Sequence, residues 1–279
     1  MSFSRIAILG PGVLGGSLAL AHPANSILWA RNPERTAEAE NLGLQATTDL
    51  ATATKNCDLI ILAVPVGVMA DLATRLLPHL SPGCLITDVG SIKTLPHQTA
   101  GNILSQAGFD FIGSHPMAGS EKKGLPAARP DLFQNAACII TNGQNLPETR
   151  CRELATFWTA LGSKISFMDP TAHDQAVARI SHFPHLLASL TATISLNPPD
   201  FSNLAGGGLR DTTRIAAGDP DMWAEILIEN RAPVIQALRE AEKSLREILA
   251  IMEEPDQEQL REFLAHAKQL RDQIPNQPS

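Results

Sequence analysis

Over its N-terminal part the chain carries short, strand-like apolar runs at 6–9, 27–30, 59–64, 85–88, 111–113 and 137–141. A run of this length without polar alternation marks a strand covered on both faces, as parallel sheets require. Helical spacing separates most of the runs, so the pattern predicts an α/β domain built on a doubly wound parallel sheet. A helix over 149–161 and a short strand over 164–167 end the alternation, and from 169 onward the spacing is helical throughout. Amphipathic stretches at 170–196, 221–252 and 256–273 predict an all-α C-terminal part. The boundary is placed between 168 and 169, giving a dinucleotide-binding domain over 1–168 and a helical substrate and dimerisation domain over 169–279. A helical domain rich in Leu, Ile and Ala buries itself best against its own copy, which predicts a homodimer through these helices.

The first strand runs into Gly10-Pro11-Gly12-Val13-Leu14-Gly15, followed at once by a helical segment. Gly10 permits a tight turn, Gly12 lets backbone approach a pyrophosphate, and Gly15 lets the helix pack on the strand. The free N–H groups over Val13 and Leu14 then meet the negative charge. An acidic residue at the end of the second strand would receive the ribose 2′-hydroxyl of NAD. Here that strand leads into Arg31-Asn32-Pro33-Glu34-Arg35. A guanidinium at Arg31, with Asn32 beside it and Arg35 a turn later, suits a 2′-phosphate, so NADP is expected ahead of NAD. Val64 and Pro65 end another buried strand on the same sheet edge and are expected to line the cofactor pocket.

Composition narrows the classes. The chain has 279 residues, 44% of them hydrophobic, and 22 basic against 29 acidic side chains give a net charge of −7. No basic run is present, which argues against nucleic acid and anionic membranes as partners. Cys57, Cys84, Cys138 and Cys151 show no paired spacing, so neither a metal site nor a redox motif is expected. With no secretory pattern and no long apolar span, the expectation is a cytoplasmic protein acting on a small molecule. The chain contains no tyrosine, which excludes the phenolic proton donor of Tyr-x-x-x-Lys dehydrogenases.

Two loops follow buried strands and should project from the edge that carries the glycine turn. One is Asp88-Val89-Gly90-Ser91-Ile92-Lys93, the other Gly113-Ser114-His115-Pro116-Met117-Ala118-Gly119-Ser120-Glu121. A neutral histidine there can take a hydroxyl proton while the carbon loses hydride.

Together with the glycine turn, these loops, Ser181-His182-Phe183-Pro184-His185, and Arg214-Ile215-Ala216 with Met222-Trp223 resemble the prephenate/arogenate dehydrogenase family of tyrosine biosynthesis. The motifs run in order through both predicted domains. The resemblance implies a Rossmann-type cofactor domain and oxidative decarboxylation of a cyclohexadienol to a phenol. It implies that His115 accepts the ring hydroxyl proton and that Ser91 orients His115 or the hydroxyl. Arg214 would receive a substrate carboxylate, with Asp211 and Glu121 as its ionic partners. His182 and His185 would approach the substrate side chain, Gly207 would allow close backbone approach, and Trp223 would close the pocket. Arogenate carries an ammonium where prephenate carries a keto oxygen, and Asp131 is the expected selector for that group, with Glu121 second. Two other readings stand beside this one. A reductase of the β-hydroxy-acid or imine type would share the domain plan, though its usual catalytic lysine finds only Lys164, Lys243 and Lys268 as candidates. A non-catalytic NADP(H) sensor would have no need of His115, Ser91 and Arg214 together.

Overall fold

The computed structural model describes residues 3–119, 123–197 and 199–274. Six parallel strands, β1 (Ile6–Leu9), β2 (Ser26–Trp29), β3 (Ala46–Thr47), β4 (Leu59–Leu62), β5 (Leu85–Asp88) and β6 (Asp110–Phe111), form one sheet in the order β3-β2-β1-β4-β5-β6. The strand order reverses between β1 and β4, where Ile6 pairs with Ser26 on one side and Leu59 on the other. Ligands of such sheets bind in the crevice beyond that reversal.

The apolar runs are explained by the two faces of this sheet. Ile6, Ile8, Leu28, Leu59, Ile61 and Leu85 pack on Leu18 and Ala19 of helix α1 (Val13–Ala21) and on Leu154, Phe157 and Trp158 of the Glu148–Ala160 helix. Their neighbours Ala7, Leu9, Ile27, Trp29, Ile60, Leu62 and Ile86 meet Met69, Leu72 and Leu76 of the Met69–Leu76 helix. With both faces covered, no position of β1, β2, β4 or β5 faces solvent, and the polar Ser26, Thr87 and Asp88 that these strands carry are buried as well.

The later strands do not join this sheet. β7 (Gly113–Pro116), β8 (Ala137–Thr141) and β9 (Lys164–Met168) make a separate three-stranded sheet in which β7 and β8 run antiparallel and β8 and β9 parallel. The segment between β7 and β8 contains, among the described residues, only the short turn Leu125–Ala127 and no crossover helix. A strand leaving it returns antiparallel, whereas the Glu148–Ala160 helix carries the chain across for the parallel step. The two-residue β3 is too short to leave a periodic signal.

The helical part breaks at two points where the apolar spacing reads through. The 170–196 stretch is a Pro170–Val177 helix and a Phe183–Ser195 helix joined by the wider π turn Ala178–His182. Pro184 lacks an N–H and its ring crowds the carbonyl of Ile180, so a regular α ladder cannot pass. The next stretch stops at Glu229 and resumes at Arg231, four residues being the distance from Glu229 to Pro233. The chain divides into two compact units, Met1–Arg231 and Ala232–Ser279. The first contains both sheets and every described candidate site residue. In the second, Leu245, Leu249, Met252 and Phe263 are exposed. No helix among the described residues is long and apolar enough to cross a membrane.

A Cβ at Gly15 would lie 2.0 Å from the Gly10 carbonyl oxygen, whereas one at Gly12 meets nothing within 4 Å. Gly15→Ala is therefore expected to lose about 3 kcal/mol of stability in a denaturant titration, as overpacked sites do. Gly12→Ala is expected to keep its unfolding midpoint and to weaken nicotinamide dinucleotide binding about tenfold or more, read by fluorescence titration.

Candidate functional site

The cofactor end is built by the turn between β1 and α1. Gly10 sits at φ +128°, a conformation that L side chains rarely adopt, and a Cβ there would strike the Ala63 carbonyl at the end of β4. Val64 lies against the same turn. α1 begins at Val13 with Gly12 as its N-cap, no side chain filling the cap and no acid in its first turn. Open space over Gly12 and unspent helix N–H groups fit a pyrophosphate. At the end of β2, Arg31 is exposed and has no ion pair among the described residues. Asn32 caps helix α2 (Pro33–Asn41), its Oδ1 accepting from Glu34 N at 2.9 Å. Arg35 donates to Glu38 at 2.8 Å, both side chains being solvated.

The chemistry end starts from a buried ion pair. Asp88, the last residue of β5, and Lys93 are fully buried, and the Lys93 ammonium donates to Asp88 Oδ2. Burial pushes the Asp88 carboxyl up and the Lys93 ammonium down, each opposed by the other's charge. Asp88 also accepts from Gly90 N at 2.8 Å and from Ser114 N at 3.3 Å. Ser114 Oγ meets Thr87 Oγ1 at 2.8 Å and the Trp158 indole N–H at 3.0 Å. These bonds fasten the 88–93 loop to β7, so Ser91 and His115 project from neighbouring, rigidly held backbone.

His115, on β7, is buried, and its Nδ1 lies 2.8 Å from His173 Nε2. His173 Nδ1 in turn lies 2.8 Å from Asp174 Oδ1. Asp174 accepts from Lys93 N at 2.7 Å and from Thr94 N at 2.8 Å. Burial favours the neutral form of Asp174, but the hydrogen bonds from His173, Thr94 and Lys93 outweigh it and hold the carboxyl below its ordinary range. Burial pushes His115 well below the usual histidine value, and the positive charge of Lys93 adds to the shift. His115 is thereby kept uncharged at neutral pH. Its ring partner is His173, and among the described residues Ser91, half-buried, makes no hydrogen bond to it.

A second group converges from the helices. His182, in the π turn, is 1% exposed, and burial pushes it down to about 4. Its Nδ1 lies 3.0 Å from the side-chain nitrogen of Asn230, which also donates to the Asp174 carbonyl at 2.9 Å. Trp223 stacks on His185 with ring centres 3.7 Å apart and meets His182 edge-on at 6.1 Å. His185 Nδ1 is buried without a partner among the described residues, and burial lowers its pKa. Gly207, Asp211 and Arg214 lie on exposed backbone over the Gly207–Thr213 helix and the turn after it. Asp131 is exposed in a turn, 3.6 Å from Arg129, whose N–H is tied to Ser17 of α1 at 3.0 Å. Glu121 lies outside the described residues.

His173, Asp174 and Asn230 were missed as site residues, and Lys93 was read only as part of a motif. His173 and Asp174 are chain neighbours and therefore project from different directions on their helix. Only tertiary packing makes them a relay. Past Pro65, the Gly67 N–H donates to Glu225 Oε1 at 3.3 Å, with Glu229 one turn along the same helix. Burial raises Glu229 to about 7, helped by the negative charge of Glu225.

Two family models match the chain, "prephenate dehydrogenase, nucleotide-binding domain" over residues 16–167 and "prephenate dehydrogenase, dimerization domain" over residues 169–266. A prephenate dehydrogenase of Lactococcus lactis is 34% identical over 277 residues, covering 96% of this chain and 76% of that protein. The solved structure of Aquifex aeolicus prephenate dehydrogenase in complex with hydroxyphenyl propionate and NAD+ matches with a TM-score of 0.89 at 30% identity, over 99% of each chain. Synechocystis arogenate dehydrogenase matches with a TM-score of 0.83 at 28% identity, over 96% of this chain and 99% of that one.

Because Glu229 is held up to about 7, above the ordinary 4.5, the folded protein keeps a proton that the unfolded chain releases between those values. The stability this gives is complete below the unfolded value and lost as pH rises through about 7. Glu229→Gln is expected to raise the melting temperature more at pH 8 than at pH 5 by a few degrees, read by thermal melts. An equal change at both pH values would contradict the assignment.

Proposed function

The chain belongs to the prephenate dehydrogenase family and is a nicotinamide-dependent oxidoreductase, and we propose that it prefers NADP in the oxidative decarboxylation of arogenate or prephenate. The observation that carries the chemistry is the buried, uncharged His115 on β7 of the second sheet, with its ring held by His173. A nicotinamide dinucleotide, held by the Gly10–Gly15 turn, would supply the acceptor for the hydride that leaves the ring carbon. His115 takes the proton of the hydroxyl on that carbon, and Ser91 orients the hydroxyl. As the carbon becomes carbonyl-like, the bond to the ring carboxylate breaks, its electron pair enters the ring, and carbon dioxide leaves as the phenol forms. The protein's contribution is to place the ring and keep the base unprotonated in a site shielded from water. His182, His185 and Trp223 form the wall against the substrate side chain, with Gly207 giving room. Arg214 receives a carboxylate with Asp211 and Glu121 as its ionic partners.

The NADP preference rests on Arg31, whose guanidinium is not committed to an ion pair among the described residues, unlike that of Arg35. Asp131 is proposed as the group that favours the ammonium of arogenate, although its exposed pairing with Arg129 offers no contact with the ring-holding histidines. Homodimerisation is supported by the name of the second family model and by the exposed apolar side chains of the Ala232–Ser279 unit.

Initial rates of cofactor reduction with arogenate and prephenate, each against NADP and NAD, test this reading. NADP is expected to give the higher kcat/KM, and Arg31→Ala to shift the ratio towards NAD about tenfold or more through loss of a charge-assisted contact. Asp131→Asn lowers the arogenate-to-prephenate ratio only if Asp131 is the selector. His115→Asn is expected to lower kcat by about a hundredfold or more with cofactor affinity kept. With the base pushed well below 6.5, kcat/KM is expected to stay flat as pH falls through that value and to drop only in more acid solution. Undiminished turnover by His115→Asn would refute the assigned mechanism.

A further inference from the structure

The hydrogen bonds around Asp174 contain groups that can play only one part, and these fix the parts of the others. The backbone N–H groups of Lys93 and Thr94 can only donate, so both carboxylate oxygens of Asp174 accept. Asp174 Oδ1 therefore receives the proton of His173 Nδ1 at 2.8 Å. A neutral imidazole protonated on Nδ1 has a bare Nε2, and that nitrogen faces His115 Nδ1 at 2.8 Å. His115 must then carry its proton on Nδ1, leaving Nε2 as a lone pair. Among the described residues nothing else bonds that Nε2.

A second chain starts from the same residue. The backbone carbonyl of Asp174 can only accept, so the Asn230 atom 2.9 Å from it is the NH2 group and not the amide oxygen. Its other hydrogen points to His182 Nδ1 at 3.0 Å, which must accept. His182 is therefore protonated on Nε2, the opposite tautomer to His115.

We infer that Asp174 sets the proton on both site histidines, giving His115 a bare Nε2 through its carboxylate and His182 an Nε2–H through its carbonyl and Asn230. The base thus offers an acceptor to the substrate hydroxyl, while His182 offers a donor to an oxygen of the substrate side chain. Two histidines in one site cannot exchange these parts while the network is intact. Asp174, His173 and Asn230 are positioning residues, since they act through the rings and not on the substrate. The inference rests on the reading of His115 as the base, but the proton positions themselves can be observed without substrate.

The test uses the whole protein labelled with 15N-histidine, with long-range 1H–15N spectra recorded near neutral pH and signals assigned by loss in His115→Asn and His182→Asn. The expected spectrum shows His115 protonated on Nδ1 alone, His182 on Nε2 alone and His173 neutral. The reverse tautomer at either site, or a doubly protonated His173, overturns the inference. In steady state, Asp174→Asn is expected to lower kcat about 10- to 100-fold with cofactor KM unchanged, and to mix the His115 tautomers. Asn230→Leu removes only the second chain and is expected to raise substrate KM about tenfold, with kcat and the His115 signals kept. Parallel losses of kcat, KM and melting temperature in both variants would reduce the network to a structural one and overturn it. If the parent oxidises no cyclohexadienol, the function reading fails while the spectrum still decides the proton positions.

Discussion

The carboxylate of Asp174 is the interaction on which the arrangement of the site depends. It is buried, and a buried carboxylate is costly unless its lone pairs are met by donors. Here the donors come from separate stretches of chain, the 93–94 backbone after β5 and His173 on the Pro170–Val177 helix, while the Asp174 carbonyl engages Asn230. Removing any one donor leaves charge without a partner in a water-poor place, so the loop, the helix and the Asn230 break are held to one mutual geometry. The residues proposed for the chemistry that are attached to those three stretches inherit that geometry. Ser91 lies two residues before the bonded N–H of Lys93, His115 shares a hydrogen bond between ring nitrogens with His173, and His182 is bonded to Asn230.

The charge state of the site follows from the same burial. Lys93 is placed under β7, where its ammonium is matched by Asp88, and its field opposes a second positive charge on His115. The chain carries an excess of acids, yet the interior beside His115 contains a cation and several uncharged imidazoles. That local inversion suits the neutral base and anionic substrate of the proposed reaction, and overall charge could not have indicated it.

Much of this was legible from the residues. The glycine turn, the buried parallel strands and the helical C-terminal part follow from run length and spacing, because a strand covered on both faces has no solvent-facing position to alternate with. Strand count did not settle sheet membership, since β8 reads as another buried run whichever sheet it enters; the length and content of the β7–β8 connection decides that. His115, His182 and His185 could be named from the motifs that carry the family resemblance. His173 could not, because adjacent His and Asp residues on a helix show no shared face, and their alignment exists only once the 93–94 backbone is packed against them. Asn230 gave no signal either, being a lone amide inside a stretch whose apolar spacing runs straight through it.

The two helix breaks have a common logic. A π turn and an interrupted helix each forfeit regular backbone bonds, and each is forced by a proline downstream, Pro184 in one case and Pro233 in the other. A continuous helix over 170–196 would turn His182 to a different direction around the axis. A continuous helix through 230 would keep the backbone regular at Asn230 but would not free that residue to meet both the Asp174 carbonyl and His182. The prolines therefore act at a distance along the chain, and the two breaks they cause are joined by side chains, Asn230 at one meeting His182 at the other. Apolar spacing records only which face of a helix is buried, so it passes over such points, and the places where the pattern misleads are the places where the site is assembled.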